Sequence, residues 1–383
     1  MSSQSTTTRN RAAVLAAVRA AGEATRAELA ALTGLSIATV SRAVAALGVA
    51  GLLIEQSAVG PAGGRPLGRV RIDDRAATVL AVDVADHHTT LSLIDLGGTV
   101  HWIERLEAPP AGAQQRLDHT LARITEAFHA VRATRPPVAV GIAIPGPVQA
   151  DGAIDFAPAL HWRGIPLGSM LRRELDVPVA VGNDANLIAV AESRWGGQRG
   201  AASLMALAVF DGVGAGIVEA GRIVEGSRGF AGQIGRMLLG PESIGRVYDE
   251  FGDLETQLGS TGLLRRAADA GLALPPDADP FSALFAHVGE RTPAGRLVHR
   301  VLDEFAVALA NVCALLDPEA IVLAGRLAPL ASTVVPELER RLRGRVLHIP
   351  RLVAASTEVD GALLGAAAIA FDAFGPLEQL LDP

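Results

Sequence analysis

The sequence predicts an α/β protein with a small helical head, residues 1–75, and a larger two-lobed body, residues 76–383. Three observations predict this division. A chain of 383 residues is too long for one ordinary domain. Short helical patterns around a glycine turn occupy the first part of the chain. In the rest, apolar strands alternate with helices, and the alternation occurs twice.

Charge is distributed unevenly between the two parts. The net charge is −7, and all 34 basic residues are arginine. The head carries nine arginines against five acids, a net +4, which leaves 25 arginines against 36 acids, a net −11, in the body. A mildly basic head on an acidic body is typical of a small module that binds a polyanion such as nucleic acid.

Nothing in the sequence predicts a membrane segment or an internal disulfide. No apolar run approaches the roughly 18 residues of a span, and the polar start lacks the apolar stretch of a signal peptide. We therefore expect a cytoplasmic protein with no membrane partner. The single cysteine, Cys313, lies in the apolar helical pattern FAVALANVCALL (305–316) and is expected in the core.

The head begins with three helical patterns, predicted over residues 9–21, 25–32 and 36–47. Thr25 and Glu28 form a capping box at the start of the second helix. Gly34 permits the positive φ of a tight turn, and Ser36 caps the third helix. Two helices joined by a short turn with glycine are the signature of a helix-turn-helix.

The third helix has two contrasting faces. An apolar face is predicted to pack inward and comprises Ile37, Val40, Val44 and Leu47. The outer face carries side chains short enough for a DNA major groove, with one arginine that can reach a base or a phosphate. The predicted DNA contacts on it are Ser36, Ala38, Thr39, Ser41 and Arg42. The alternative is an alanine-rich helical hairpin that serves only packing.

Two strand patterns, Leu52–Gln56 and Arg69–Asp73, complete the head. The Gly- and Pro-rich sequence AVGPAGGRPLG between them predicts a winged hairpin. Arg65, between Gly64 and Pro66, is a candidate for insertion into a minor groove. The alternative is a solvated loop with an incidental arginine.

The body shows two successive α/β units. Strands are predicted at Val79–Val84, Thr89–Ile94, Val100–Leu106 and Val138–Ile144, with a helix at Gln114–Arg132. Strands are predicted again at Ser203–Val209, Gly214–Glu219, Arg222–Val224 and Ala320–Ala324, with a helix at Leu302–Leu316. Two such units predict two lobes with a ligand cleft between them.

Four motifs carry a resemblance to a known family. They are GIAIPGPV (141–148), PVAVGNDANLIAVAE (178–192), GVGAGIVEAGRIVEG (212–226) and GALLGAA (361–367). From about Arg9 to Phe371 the chain resembles the ROK family of sugar kinases and repressors. The resemblance implies an actin/hexokinase-like, or RNase H-like, body, and the head resembles the winged helix-turn-helix of the family's repressor branch.

Polar residues on turns of the body are candidates for a sugar site, because each sugar hydroxyl both donates and accepts hydrogen bonds. Asn183 and Asp184 follow the apolar strand VPVAVG directly, and Gly146 lies in the turn Pro-Gly-Pro. In family kinases the Asp that matches Asp184 is the general base. In repressors it is expected to accept a hydrogen bond from the sugar. An Asn-Asp pair after a strand is also a common helix cap.

Motif matching implies further contacts in the cleft. Glu255, in FGDLET, matches the Glu of the family's Gly-Cys-Leu-Glu motif. AGQIGR (231–236) takes the place of Ala-Gly-Glu-Ile-Gly-His, so that Gln233 and Arg236 replace an acid and a histidine. Both changes favour an anionic ligand such as a sugar phosphate or sugar acid. The alternative is an Arg236 that folds outward onto an acidic surface.

The family's phosphate-binding turns are altered. Where a family kinase has Asp-x-Gly-Gly-Thr between its first two strands, residues 83–88 are Asp-Val-Ala-Asp-His-His, without glycine and with an added carboxylate. The sequence DLGGT at Asp95–Thr99 comes one strand later and predicts a hairpin turn. Alternatively Asp95 begins the nucleotide site, and 79–84 is an extra strand. The second Gly-rich loop has Ala324 and Arg326 in place of glycines.

The family's structural zinc site, one His and three clustered Cys, is not matched. Arg236 occupies the position of the His, and there is no Cys between 237 and 260. We therefore expect neither zinc nor ATP as a cofactor, and we assign no metal ligand and no catalytic residue. His87, His88 and His161 lack metal-ligand spacing and are expected to be ordinary surface or turn residues.

Together these features predict a sugar-responsive transcriptional regulator of carbohydrate metabolism, most simply a repressor. Its partners would be double-stranded operator DNA and a sugar or anionic sugar derivative, and it would act as a homodimer or homotetramer on a pseudopalindromic operator. Two alternatives stay open. One is an ATP-dependent sugar kinase with an appended head, and the other is a regulator whose body serves only to oligomerise.

Overall fold

The computed structural model describes residues 3–58, 67–109, 112–249, 251–274, 278–357 and 360–381. It confirms the predicted fold class. A winged helix-turn-helix head precedes a body of two lobes, each built around a five-stranded sheet. Within the described residues no single helix has the length and hydropathy of a membrane span. The helices Arg26–Thr33 and Ile37–Val49 reach that length and hydropathy only in combination, and a bend of 111° separates them.

The head contains α1 (Ser3–Ala21), β1 (Glu23–Thr25), α2 (Arg26–Thr33), α3 (Ile37–Val49), β2 (Leu53–Ala58) and β3 (Leu67–Ile72). The capping box of α2 is confirmed, because the Glu28 amide donates to Thr25 Oγ1 (3.2 Å) and the Thr25 amide donates to the Glu28 carboxylate (2.7 Å). Gly34 ends α2 with φ 69°, as predicted. The loop that contains Arg65 lies outside the described residues.

Strand β1 is an element of the head that the sequence does not predict. It pairs antiparallel with β3, which also pairs with β2, so the sheet order is β1-β3-β2. Glu23 of β1 forms an ion pair with Arg69 of β3 (2.9 Å). A strand of three residues inside a capping sequence shows no hydrophobic alternation, so periodicity cannot reveal it.

The buried face of α3 differs from the prediction at one position. Val40, Val44 and Leu47 are buried, together with Ala43, but Ile37 is 59% exposed. Ile37 is the first residue of α3, and at about 100° per residue it lies at the edge of the buried arc. It therefore belongs with the outer face of the helix.

The first lobe contains β4 (Thr78–Val84), β5 (His88–Asp95), β6 (Val100–Glu107), α4 (Ala113–Arg132), β7 (Val140–Ile144), β8 (Ile154–Ala157), β9 (Trp162–Ile165), α5 (Leu167–Leu175) and β10 (Val179–Asn183). Its main sheet has the order β10-β7-β4-β5-β6, and β8 pairs with β9 separately. Because β4 lies in the centre of the sheet, the alternative that makes it an extra strand before the lobe is wrong.

The second lobe contains α6 (Asp184–Arg194), β11 (Ser203–Val209), β12 (Val213–Glu219), β13 (Arg222–Ile223), α7 (Asp253–Leu258), α8 (Ser260–Asp269), α9 (Pro280–Phe285), α10 (Pro293–Leu316), β14 (Ala320–Gly325), α11 (Ala331–Leu342), β15 (Arg351–Ala354) and α12 (Gly361–Phe374). The sheet order β13-β12-β11-β14-β15 repeats that of the first lobe. The β11–β12 hairpin is therefore the counterpart of the β4–β5 hairpin. Cys313 is buried in α10, as predicted.

Helices α6 and α12 connect the lobes. They pack against each other, α6 against β11 and β12, and α12 against β4, β7 and β10. Gly365 of the GALLGAA motif allows this contact, since a Cβ there would lie 2.0 Å from the Leu187 carbonyl oxygen of α6. Beyond α12, the short 3-10 segment Leu377–Leu381 packs against α1 of the head. Glu378 in that segment pairs with Arg19 of α1 (3.2 Å).

Candidate ligand cleft and operator-binding helix

The candidate ligand cleft lies between the lobes, at the N-terminal ends of α6 and α12. Asn183 caps α6, because its Oδ1 accepts from the Asn186 amide (3.2 Å). Asp360 caps α12, because its Oδ1 accepts from the Ala362 amide (3.0 Å). Two helix N-termini therefore direct polar groups toward the same space.

Three of the predicted sugar-binding residues are neighbours in the cleft. The Asn183 side-chain amide donates to the Gly146 carbonyl (3.2 Å) and to Asp184 Oδ1 (3.0 Å). The Ala185 amide also donates to Asp184 Oδ1 (2.7 Å). Gly146 is required sterically, since a Cβ there would lie 2.3 Å from the Phe156 carbonyl oxygen. Asn183 thus serves as a helix cap and as a support for Asp184.

The carboxyl group of Asp184 is held in an unusual electrostatic environment. Burial raises the pKa of Asp184 to about 7, and the nearby carboxylates of Asp360 and Glu255 act in the same direction. Burial also raises the pKa of Asp83 well above its usual range, with contributions from Asp360 and Asp184. A carboxyl group that titrates near neutral pH can accept from a sugar hydroxyl or donate to one.

Asp83 and Asp360 belong to this site although motif matching did not assign them. Each carried a signal in the sequence. Asp83 is the first residue of the altered turn at 83–88, and Asp360 immediately precedes the GALLGAA motif. Their proximity arises because β4 and α12 approach each other in the fold, which sequence spacing does not reveal.

Glu255 reaches the cleft from α7 in the second lobe. Its Oε1 accepts from the Val213 amide (3.0 Å), at the start of β12. A Cβ on Gly212 would lie 2.2 Å from the same oxygen, so a larger residue there would displace the Glu255 carboxylate from this position. Burial raises the pKa of Glu255, while the hydrogen bond from Val213 and the charge of Arg236 oppose the rise.

Gln233 precedes a short 3-10 turn, Ile234–Arg236, that packs against α7 and ends at Arg236. Gln233 is half-buried. The Arg236 guanidinium donates to the main-chain carbonyls of Tyr248 (3.2 Å) and Asp249 (3.3 Å) and lies 5.7 Å from the ring centre of Phe156 in β8. Arg236 is therefore engaged with its own loop and with the first lobe.

The segment that carries zinc ligands in the family is organised here around a carboxylate. Asp253 is buried and accepts hydrogen bonds from the Leu239 amide (2.8 Å), the Ser243 hydroxyl and the Tyr248 hydroxyl (2.7 Å). Burial opposes ionisation, but these bonds outweigh it and lower the pKa of Asp253. With Arg236 at the His position and no thiolate in the segment, these residues do not fit a structural zinc ion.

The first hairpins of the two lobes meet across the cleft. Asp86 and His87, between β4 and β5, and Asp211, between β11 and β12, each bring one polar atom within 4.8 Å of the others. These are ligand types for a divalent cation, although Asp211 already pairs with Arg326 (3.0 Å). Where no cation bridges them, two carboxylates at this position repel the phosphates of a nucleotide.

The three histidines differ from one another. His161 lies in an exposed turn with φ 55°, as expected. The expectation of an ordinary surface residue is wrong for His88, which is half-buried and receives a hydrogen bond from Arg105 (3.2 Å). For His87 the same expectation is incomplete, because His87 lies close to Asp211 of the other lobe. Sequence spacing could not show this proximity.

Arg326 joins the second Gly-rich loop to two acids. Its guanidinium pairs with Asp279 (2.6 Å), the cap of α9, and with Asp211 (3.0 Å). The preceding Gly325 has φ 64°, and a Cβ there would lie 2.2 Å from the Val209 carbonyl oxygen. The backbone turn is therefore retained, while the arginine side chain bridges the β11–β12 hairpin and α9.

The DLGGT sequence forms the predicted hairpin turn between β5 and β6. Asp95 is buried, and its Oδ1 accepts from the Gly97 amide (3.0 Å) and the Thr99 amide (2.9 Å). Its Oδ2 lies 2.7 Å from His101 Nε2. Because the carboxylate is used within its own turn, Asp95 does not begin a nucleotide site.

The family model described as ROK family matches residues 79–373, which is more than half of the chain. The chain belongs to the ROK family. A putative xylose repressor of Caldicellulosiruptor sp. strain Rt8B.4 is 25% identical to this ROK protein over 340 residues, which is 82% of each chain. A glucokinase of Halalkalibacterium halodurans is 32% identical over 244 residues, 60% of this chain and 72% of the glucokinase.

A solved structure of the same family shares the whole fold. It is a ROK family transcriptional regulator described as a homologue of the E. coli MLC protein, with a TM-score of 0.77 and 23% identity over 98% of each chain. The likeness includes the head as well as the body. The family thus contains both repressors and kinases that resemble this ROK protein.

The outer face of α3 presents a connected row of polar groups. Ser36 Oγ lies 2.9 Å from Thr39 Oγ1, and the Arg42 guanidinium donates to Thr39 Oγ1 (3.3 Å). Ser36, Ala38 and Arg42 are exposed, and Thr39 and Ser41 are half-buried. The residues predicted to contact DNA in α3 therefore lie on one accessible surface, with Ile37 beside them.

Proposed function

We propose that this ROK protein is a DNA-binding transcriptional regulator that senses a sugar in its cleft and has no kinase activity. The observation that carries the proposal is the meeting of Asp86 and Asp211 at the turn where, by resemblance to the family's kinases, a nucleotide would bind. The ligand side of the cleft keeps Asn183 and Asp184. A site that keeps the sugar-binding residues of a kinase but lacks its phosphate-binding turn suits a sensor better than an enzyme.

The head supplies the DNA-binding part. In a helix-turn-helix the second helix enters the major groove and reads base edges with its N-terminal residues. Here that helix is α3, whose first turns expose Ser36, Ala38 and Arg42. Arg42 can donate to a guanine edge or a phosphate, and Ile37 offers an apolar surface for a thymine methyl group. Arg65 stays a candidate minor-groove contact.

The charges of the cleft favour a neutral sugar over the anionic ligand considered from sequence. Asp83, Asp184, Glu255 and Asp360 surround the ligand side, and they influence one another's ionisation. The Arg236 guanidinium, the predicted partner for an anion, donates to main-chain carbonyls instead. Carboxyl groups accept hydrogen bonds from sugar hydroxyls, and those that are ionised repel a second anion.

Helix α12 connects the candidate cleft with the head. Its N-cap, Asp360, faces Asp83 and Asp184, and the segment that follows its C-terminus packs on α1. A ligand that prefers one position of α12 would thereby favour one position of the head, which is the requirement for coupling. As a homodimer or homotetramer the protein would place two such heads on a pseudopalindromic operator.

The experiment combines DNA, sugar and nucleotide binding on the purified full chain. Fluorescence anisotropy with duplexes from the region upstream of the protein's own gene identifies the operator, and a panel of neutral and phosphorylated sugars identifies the effector. We expect salt-dependent binding to one duplex that a neutral sugar alters and that Asp184→Asn makes insensitive to sugar. Binding to no duplex would contradict the regulator.

The kinase alternative is tested on the same material. The retained Asp184 and the glucokinase relative favour it, so phosphate transfer from ATP to the effector sugar is measured with Asp184→Asn as the control. We expect no turnover above that of the variant. Turnover that requires Asp184 would replace the proposed sensor with a DNA-binding kinase.

A further inference from the structure

A second concave site lies in the second lobe, outside the ligand cleft. It is a cavity of about 460 Å³ between the C-terminal end of α8 and the first turns of α10, lined by Ala270, Pro293, Arg296, His299 and Arg300. The volume is within the range of small-molecule sites. None of these residues belongs to the cleft around Asp184, so the two sites are separate.

The positive charge of this cavity lies beside a helix N-terminus that carries no acid. The first turn of α10 contains no acid, although negative side chains stabilise that end of a helix and positive ones destabilise it. Arg296 and Arg300 lie four residues apart on the same face of α10, where like charges repel. An anion in the cavity would relieve this repulsion and would lie near the positive end of the helix dipole.

The acids that could neutralise Arg300 within α10 are already engaged. Asp303 and Glu304 follow it at helical spacing, but Asp303 pairs with Arg341 (2.6 Å) and Glu304 pairs with Arg266 (2.6 Å). Across the part of the chain that the structure describes, neither Arg296 nor Arg300 has an ion pair or a hydrogen bond from its side chain. Their guanidinium donors are therefore available to a ligand.

His299 adds a donor between the two arginines. Its Nδ1 lies 3.0 Å from a guanidinium nitrogen of Arg341. A guanidinium only donates, so Nδ1 is the acceptor and the ring proton of neutral His299 resides on Nε2. The cavity wall thus combines two guanidinium groups, one imidazole N–H and the apolar surfaces of Ala270 and Pro293.

We propose that this cavity binds a small molecule that carries a phosphate monoester. Guanidinium groups bind phosphate oxygens through paired, charge-assisted hydrogen bonds, and the end of α10 contributes the positive pole of its dipole. A phosphate group alone occupies a small part of the 460 Å³. The remaining space and the apolar wall accommodate the organic part of a phosphorylated metabolite.

Calorimetric titration of the full chain with inorganic phosphate and with glucose 6-phosphate tests the proposal. The double variant Arg296→Ala/Arg300→Ala removes the cavity's guanidinium groups. The matched control Arg291→Ala/Arg343→Ala removes the same two positive charges from exposed positions outside the cavity lining. We expect the double variant to bind glucose 6-phosphate at least about ten-fold more weakly, and the control within about two-fold of the native protein.

Two further measurements complete the test. Asp184→Asn should retain phosphate binding, so that failure of the cleft proposal and failure of this one are distinguishable. Circular dichroism should show that the double variant folds normally, because Arg296 and Arg300 are exposed. The proposal is overturned by no phosphate binding at millimolar concentration, by equal binding in the double variant, or by citrate binding more tightly than either phosphate probe.

Discussion

Replacing Asp184 with asparagine should stabilise the protein at neutral and alkaline pH. The pKa of Asp184 lies at about 7 in the folded chain, against an ordinary value of 3.8. In the unfolded chain the group loses its proton near pH 4, whereas the folded chain keeps it until about pH 7. Between these values the folded state binds more protons, so its stability falls as the pH rises and levels off above 7.

The magnitude follows from the difference of about three pH units. At roughly 1.4 kcal/mol per unit, native Asp184 costs up to about 4 kcal/mol of stability at pH 8. Asparagine cannot ionise, and its side-chain oxygen can still accept from the Ala185 amide. We therefore expect Asp184→Asn to gain about 3 kcal/mol relative to the native protein between pH 5 and pH 8. The same variant should lose sugar binding.

Urea unfolding monitored by the fluorescence of the three tryptophans provides the assay. The free energy of unfolding is measured at several pH values for the native protein, Asp184→Asn and the control Asp118→Asn, which changes an exposed carboxylate on α4. The native and Asp184→Asn curves should diverge with rising pH, while the control follows the native curve. Parallel curves for native protein and Asp184→Asn would refute the claim that this carboxyl group is desolvated.

Other consequences can be measured directly. Arg42→Ala should weaken operator binding by about 1–3 kcal/mol because it removes a base or phosphate contact. Fluorescence anisotropy measures the loss beside the control Arg222→Ala, which removes an exposed arginine of the body. Equal losses of affinity in the two variants would argue against a specific contact by Arg42. Sugar affinity should rise as the pH passes through 7 if ionised Asp184 is the acceptor, and calorimetry that finds no such rise would contradict that role. Asp253→Ala should lower the free energy of unfolding by about 3 kcal/mol, since it leaves three buried or half-buried donors without an acceptor. Thermal unfolding measures this loss beside the control Asp249→Ala, which removes an exposed carboxylate of the same loop. An equal loss in the control would contradict the role of Asp253.

Much of the fold could be predicted because local patterns and tertiary packing agree. The capping box at Thr25, the glycine turn at Gly34 and the cap at Ser36 each satisfy backbone groups locally, so their sequence signature is sufficient. Central strands of the body such as β7 and β14 are apolar along nearly their whole length and are buried, so their composition is sufficient to identify them. Strand β1 could not be predicted, because its pairing with β3 depends on a segment more than 40 residues away.

The candidate site was only partly predictable, because it too depends on contacts between residues that are distant in the sequence. Asn183 and Asp184 are adjacent in the sequence and follow a strand, so their placement at a turn could be inferred. Asp83, Asp360 and the pairing of Asp86 with Asp211 arise from the meeting of distant elements. The carbonyl contacts of Arg236 depend on the path of the loop near Tyr248, which residue type alone does not determine.

The arrangement around Asp253 changes what controls the order of that loop. A loop held by a thiolate-bound metal would lose its order when chelators or oxidants are added. This chain has one cysteine, which is buried in α10 and lies outside the loop. A loop gathered on a carboxylate responds instead to protons: its contribution to stability is complete above the ordinary pKa of an aspartate and is lost as the pH falls through the lowered pKa of Asp253. The order of the loop beside Glu255 therefore depends on the ionisation of Asp253 and not on a thiolate-bound metal.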